Sequence, residues 1–283
     1  MEGSPLTLHS LAREVAAAER LVREAGQLVM KFHGAELAVE RKAGNEPVTV
    51  ADRQASELLV SGLREAFPDD VVISEENADD LRRLAARRVW YIDPIDGTQD
   101  FIRGEDGFCV MIGLCLDHRP AVGVIYQPLH DRLFAAAPRA GTWLAAPGIA
   151  PQQAHVSSVS DLSGVRLVAS KSHRGASIDT VKSALGISSE INIGSVGLKL
   201  GIIALGERDL YVNPSSRTSS WDTCGPEALL VEAGGRLSDI EGKPLRYDSE
   251  MLHHKRGLIA SNGRVHDAVV EKLAPLFAAR LPG

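Results

Sequence analysis

The chain has few cysteines and no long apolar run, and each shortage closes off a class of protein. Three cysteines in 283 residues, Cys109, Cys115 and Cys224, are odd in number and lack zinc-type spacing. Neither a disulfide framework nor a structural zinc site is expected from them. No stretch approaches the roughly 18 uninterrupted apolar residues of a spanning helix, so no membrane partner is expected. The opening MEGSPLTLHS lacks a basic region followed by an apolar run, the pattern of a secretory leader. These absences together predict a cytoplasmic protein. Charge of one sign is not concentrated either: Lys+Arg 31 against Asp+Glu 37 leaves −6, with no long like-charge run. Polymeric nucleic acid is therefore not an expected partner, because gripping a phosphate backbone takes a clustered basic surface. A small anion stays open as a ligand if cations bridge it to the acidic protein.

What the chain does have is alternating helical and strand-like periodicity. From 8 to about 32, apolar residues recur at three- and four-residue steps through Leu11, Val15, Ala18, Leu21, Val22, Ala25 and Val29, which predicts an amphipathic helix. Thr49 is the expected cap of a second helix with Ala55, Leu58, Leu59, Leu63 and Phe67 on one face and Asp52 in its first turn. Apolar runs at 71–74 and 89–92, then a meander at 108–116, 121–126 and 133–136, read as strands. The stretch AAPGIAPQQAHVSS, 145–158, reads as a connection. It separates an N-terminal α+β subdomain, 1–150, holding most candidate ligands, from a C-terminal α/β subdomain, 151–283, completing the site. Beyond it, strands at 166–169, 191–193, 209–212 and 257–260 alternate with helices near 178–185, 198–205, 222–233 and 265–280. The fold class is α/β in layers.

The chemistry lies where apolar strands end in acids. VISEEN runs into Glu75 and Glu76, and WYIDPIDGT runs into Asp93 and Asp96. Glu75 and Glu76 alone would read as a solvated turn. Neighbouring strand ends, however, would gather these carboxylates, which repel unless a cation lies between them, and hard oxygen donors favour Mg²⁺. Pro94 fixes φ between the two aspartates. Gly97 permits close backbone approach, and Gly97 and Thr98 would open a short helix whose free N–H groups suit a phosphate. Metals beside an anion-binding turn point to metal-assisted hydrolysis of a phosphate ester. Asp222 could also simply cap the helix that follows it. Trp221 reads as core, and Cys224 has no candidate base nearby in sequence.

At this point the sequence resembles the lithium-sensitive, Mg²⁺-dependent phosphatases of the inositol monophosphatase superfamily. The resemblance rests on four elements in order: VTVADRQASE with Asp52, ISEEN with Glu75, DPIDGT, and WDTCGPEALLVEAGG with Trp221 and Asp222. It implies a layered αβαβα sandwich of the sugar-phosphatase type and a site with two or three Mg²⁺ ions. Glu75, Asp93 and the Ile95 carbonyl would hold one ion, and Asp93, Asp96 and Asp222 a second. Asp52 with Glu75 would position a third through water. Asp52 paired with the Thr98 hydroxyl would orient and deprotonate the attacking water.

Three local features are similar to the 3′(2′),5′-bisphosphate nucleotidases of that superfamily. Gln99-Asp100-Phe101 follows the threonine, where inositol monophosphatases usually place Asn before the aromatic. ASKSHRG resembles the Ser-x-Ser-His segment that meets the nucleotide, which would give Ser172 and His173 substrate contacts and let Lys171 neutralise a second phosphate. By spacing alone that loop reads as solvated and basic. Lys199 sits in an otherwise apolar helix, where it could snorkel to water, and the matching lysine of nucleotidases reaches the substrate. The resemblance thus implies removal of the 3′-phosphate of adenosine 3′,5′-bisphosphate, with inositol monophosphatase or inositol polyphosphate 1-phosphatase activity as the alternative. A non-catalytic metal- or nucleotide-binding relative should have lost one of Asp52, Glu75, Asp93, Asp96, Thr98 or Asp222, and all six are present. Dimers are common among inositol monophosphatases and monomers among nucleotidases, so a homodimer stays open.

Overall fold

The computed structural model describes residues 11–35, 39–41, 47–171 and 175–281. Helix α1, Ala12–Met30, presents the apolar stripe that its spacing predicts. Strands β1, Glu40–Arg41, and β2, Pro47–Val48, form a small ribbon before helix α2, Val50–Ala66. Thr49 caps α2 as expected, accepting from the Ala51 N–H, and Asp52 completes a capping box with it.

Strand β3, Val71–Ser74, lies parallel to β4, Arg88–Asp96. A five-residue helix α3, Thr98–Ile102, follows. Strands β5, Cys109–Leu116, β6, Arg119–Gln127, β7, Arg132–Ala137, β8, Gly141–Ala145, and β9, Gln152–Ala154, then meander antiparallel. The seven make one sheet in the order β3-β4-β5-β6-β7-β8-β9. Strand β9 falls inside the stretch that reads as a connection, so the first sheet continues to Ala154 and the crossing to the second sheet comes later. Its QQA sequence has no apolar alternation, and its order comes from the ladder with β8.

The second sheet starts with β10, Leu167–Ser170, followed by α4, Ala176–Leu185, and β11, Glu190–Ile193. Helix α5, Val196–Ala204, leads to β12, Leu210–Asn213, and α6, Ser220–Glu232. Strands β13, Arg236–Ser238, and β14, Leu258–Ser261, and helix α7, His266–Phe277, complete the chain. The order is β11-β10-β12-β14-β13, with β10 parallel to β11 and β12 and the β14 pairings antiparallel.

Side-chain alternation on these strands builds five layers. Trp90, Ile92, Val110, Ile112 and Val124 point to α1 and α2, while Met111, Ile125 and Phe134 on the other face meet Leu198 of α5 and Leu229 of α6. On the second sheet Val168, Tyr211 and Ala260 meet the same two middle helices, and Leu167, Val212 and Ile259 meet α4 and α7. The result is the expected αβαβα sandwich. Every residue of α5 is buried because sheets cover it on both sides, which explains why its sequence is apolar all round. No helix among the described residues is long and apolar enough to cross a membrane.

Helix α6 lies almost on the backbone of the first sheet. A Cβ on Gly113 would come within 2.4 Å of the Gly225 N, and one on Gly123 within 2.1 Å of the Gly225 O. Both clashes are with backbone, so neither can be relieved by a side-chain rotation. Gly123→Ala should therefore push α6 off the sheet, and denaturant titration should record a loss of about 1–3 kcal/mol or more. A variant as stable as wild type would contradict this packing.

Candidate active site

The Asp-Pro-Ile-Asp segment works through a bulge. Residues three apart on a regular strand point to opposite faces. Here Asp93 faces Met111 and Asp96 faces Cys109 on β5, so three steps along β4 match two along its neighbour. Pro94, which has no N–H to give the ladder, lies inside the irregularity. The extra residue turns both aspartates to one side. The Asp93 carboxylate then accepts from the Ile95 N–H at 3.0 Å.

Asp222 reaches them from the other half of the molecule. Its carboxylate accepts from the Ser219 N–H at 2.6 Å as the third residue of a capping box, with Ser219 rather than Asp222 as the cap. Ligand atoms of Asp93, Asp96 and Asp222 all lie within 4.8 Å of one another. Glu75 follows β3 directly, its N–H bound to the Ile92 carbonyl at 3.1 Å, which sets it beside the end of β4. Asp52, 1 % exposed, accepts from both the N–H and the hydroxyl of Thr49. Burial first, and then the charges of Glu75, Asp96, Asp222 and Asp52, hold the Asp93 carboxyl well above the usual range. Oxygen donors crowded in this way fit a hard divalent cation, and their mutual repulsion is what such an ion would relieve.

Asp96 is oriented by residues a hundred positions away. One of its oxygens accepts from the Ser195 hydroxyl at 2.5 Å and from the Gly197 N–H at 2.7 Å, with the Cys109 thiol at 3.8 Å. Ser195, Gly197 and Cys109 were not candidates from sequence. The available signal was Ser195 itself, a helix-capping residue type immediately before an apolar helix. Gly97 adopts φ +96°, and a Cβ there would meet the Gly107 carbonyl at 2.5 Å, so the turn into α3 needs glycine.

Two expected pairings take a different form. The Thr98 hydroxyl donates to the Ile95 carbonyl at 3.0 Å, within its own turn, so its one proton is not directed to Asp52. The Lys199 ammonium does not snorkel: the residue is 1 % exposed, and its nitrogen donates to the Ile193 and Gly194 carbonyls at 3.1 and 2.8 Å and lies over the Tyr211 ring. Burial lowers its pKa to about 8, with the Asp96, Asp100 and Asp222 charges opposing that fall. Ser172 and His173 lie outside the described residues. Lys171, next to them, forms an exposed 2.8 Å ion pair with Glu105. Asp100 is enclosed against Gly107 and Gly194, and burial raises its pKa.

A five-layer αβαβα sandwich carrying a carboxylate cluster that could hold a metal defines the class, and comparison with known sequences narrows it. The inositol monophosphatase family model matches residues 11–277, and the chain belongs to that family of phosphatases. It is 36 % identical over 232 residues to the 3′(2′),5′-bisphosphate nucleotidase CysQ of Escherichia coli O157:H7, covering 81 % of this chain and 91 % of that one. An inositol-1-monophosphatase of Bacillus subtilis is 28 % identical over 259 residues, covering 90 % and 94 %. Among solved structures, CysQ of Bacteroides thetaiotaomicron superposes with a TM-score of 0.75 at 26 % identity, over 90 % of this chain and 99 % of that one.

The raised Asp93 pKa carries a sign for stability. An acid whose folded pKa lies above its unfolded value stabilises the fold while protonated, and that contribution is lost as pH rises through the folded pKa. Without divalent cations, the ionised cluster therefore costs stability at neutral pH. Asp93→Asn in EDTA at pH 7.5 should melt higher than wild type, by ~2–4 °C for a gain of about 1 kcal/mol, and should gain less from added Mg²⁺. Scanning calorimetry checks both, and a lower melting point in EDTA would refute the repulsion argument.

Proposed function

We propose that the chain is a Mg²⁺-dependent, lithium-sensitive 3′(2′),5′-bisphosphate nucleotidase that removes the 3′-phosphate of adenosine 3′,5′-bisphosphate to leave AMP and phosphate. The observation that carries the hydrolytic part is the cluster of Asp93, Asp96 and Asp222 within 4.8 Å. The nucleotide part rests on the nucleotidase relative at 36 % identity and on Gln99-Asp100-Phe101 and Lys199. Glu75, Asp93 and the Ile95 carbonyl would hold one Mg²⁺, and Asp93, Asp96 and Asp222 a second, with Asp52 and Glu75 serving a third. Bound Mg²⁺ supplies neutralisation of the phosphate and a lowered pKa for attacking water.

The chain's own residues do the rest. Gly97 and Thr98 present main-chain N–H groups to the phosphate at the opening of α3. Asp52 accepts the proton of the attacking water. Thr98 assists after a side-chain rotation that moves its hydroxyl from the Ile95 carbonyl toward that water. Ser172, His173 and Lys171 contact the nucleotide, with Lys171 exchanging Glu105 for the second phosphate. Lys199 contributes its charge from beneath the turn at Gly194.

Phosphate release from adenosine 3′,5′-bisphosphate and from inositol 1-phosphate, each with Mg²⁺ and with or without Li⁺, tests the reading. The expected result is a preference for the nucleotide on the order of 100-fold in kcat/KM, about 2.7 kcal/mol, with inhibition by Li⁺. Preference for the inositol ester would move the chain to the activity named for the Bacillus relative. No release from either would favour a non-catalytic binding protein.

A further inference from the structure

We infer that Ser195 is a positioning residue for the metal centre, fixing the orientation of Asp96 from the opposite half of the molecule. The inference rests on the metal reading above. Ser195 is fully buried, so no water competes for its hydroxyl. That hydroxyl accepts from the Leu198 N–H at 3.0 Å as the cap of α5, and gives its proton to Asp96 Oδ2 at 2.5 Å. The Gly197 N–H adds a second strong donor to the same oxygen at 2.7 Å. Two strong donors on Oδ2 fix the direction of the carboxylate that stands with Asp93 and Asp222.

The turn that presents Ser195 is itself locked. Its N–H binds the Gly107 carbonyl at 3.0 Å, and the Lys199 ammonium pins the carbonyls of Ile193 and Gly194 just before it. The donor thus arrives on a turn held by three hydrogen bonds, in a place where the acid it serves is crowded by like charges. Groups that hydrogen-bond a metal-ligating carboxylate fix its orientation. The Cys109 sulfur, 3.2 Å from the Ser195 oxygen, is a weak partner and cannot substitute for the hydroxyl.

Calorimetric titration of Mg²⁺ into the full chain, without substrate, tests this independently of which ester the protein hydrolyses. Ser195→Ala should bind Mg²⁺ at least tenfold more weakly, within the ~10–100-fold range for partners of metal ligands. Ser195→Cys, which keeps the volume but exchanges a strong donor for a weak one, should share the loss should the alanine variant fail to fold. Ser195→Thr, which keeps both the cap and the hydroxyl, should restore affinity to within threefold of wild type. A drop in melting temperature with unchanged Mg²⁺ affinity in Ser195→Ala or Ser195→Cys would reduce the residue to a helix cap and overturn the proposal. Equal loss in folded threonine and alanine variants would overturn it too, since the hydroxyl would then not be the cause. Absence of Mg²⁺ binding by the wild type would overturn the metal reading along with it.

Discussion

Helix α6 can bring Asp222 to the aspartates of β4 only because it packs on backbone rather than on side chains. Gly113 and Gly123 leave the sheet surface bare, and Gly225 presents an equally bare turn of helix, with distances too short for even one added carbon. Dispersion falls off steeply with separation, so glycine against glycine gives the closest seat a helix can take on a sheet. The five-layer stacking follows, because the same helix must also cover the second sheet through Leu230. A wider seat would leave the carboxylate in the first turn of α6 away from its partners.

Gathering acids creates repulsion, and the chain meets it with fixed donors. Asp52 takes the N–H and hydroxyl of Thr49, Asp93 the N–H of Ile95, Asp96 the groups of Ser195 and Gly197, and Asp222 the N–H of Ser219. Each of these carboxylates commits at least one oxygen to the protein. The orientation of the cluster is therefore preset, and the electrostatic strain that remains, which raises the Asp93 pKa, is a reservoir that a bound cation would release.

Most elements were legible because their apolar periodicity matched their burial. Strand β3 and the termini of α4 and α5 fall within a few residues of expectation, and the capping role of Thr49 follows from residue type alone. Strands β8, β9 and β13 are not legible in this way. They are short, and GTWLA, QQA and RLS carry too little alternation to stand out, being ordered by the neighbours they pair with. The same contrast divides the site. Of the four aspartates, three are oriented by donors within three residues, a pattern printed in the local sequence. Asp96 depends on a turn whose sequence separation hides it.

The sequence by itself determined which residues carry the charge and the turn: Asp52, Glu75, Asp93, Asp96 and Asp222, and the Gly97 that permits close backbone approach. It determined this because capping boxes, a proline-broken strand and a glycine turn are local events. Tertiary structure alone decided that Ser195 and Gly197 hold Asp96, that the Thr98 proton goes to Ile95, and that Lys199 turns inward to two carbonyls. The Asp96 bonds join segments about a hundred residues apart, and those of Thr98 and Lys199 are choices among nearby acceptors that the packing of the layers makes. A buried donor must find whatever acceptor the packing of the layers sets beside it.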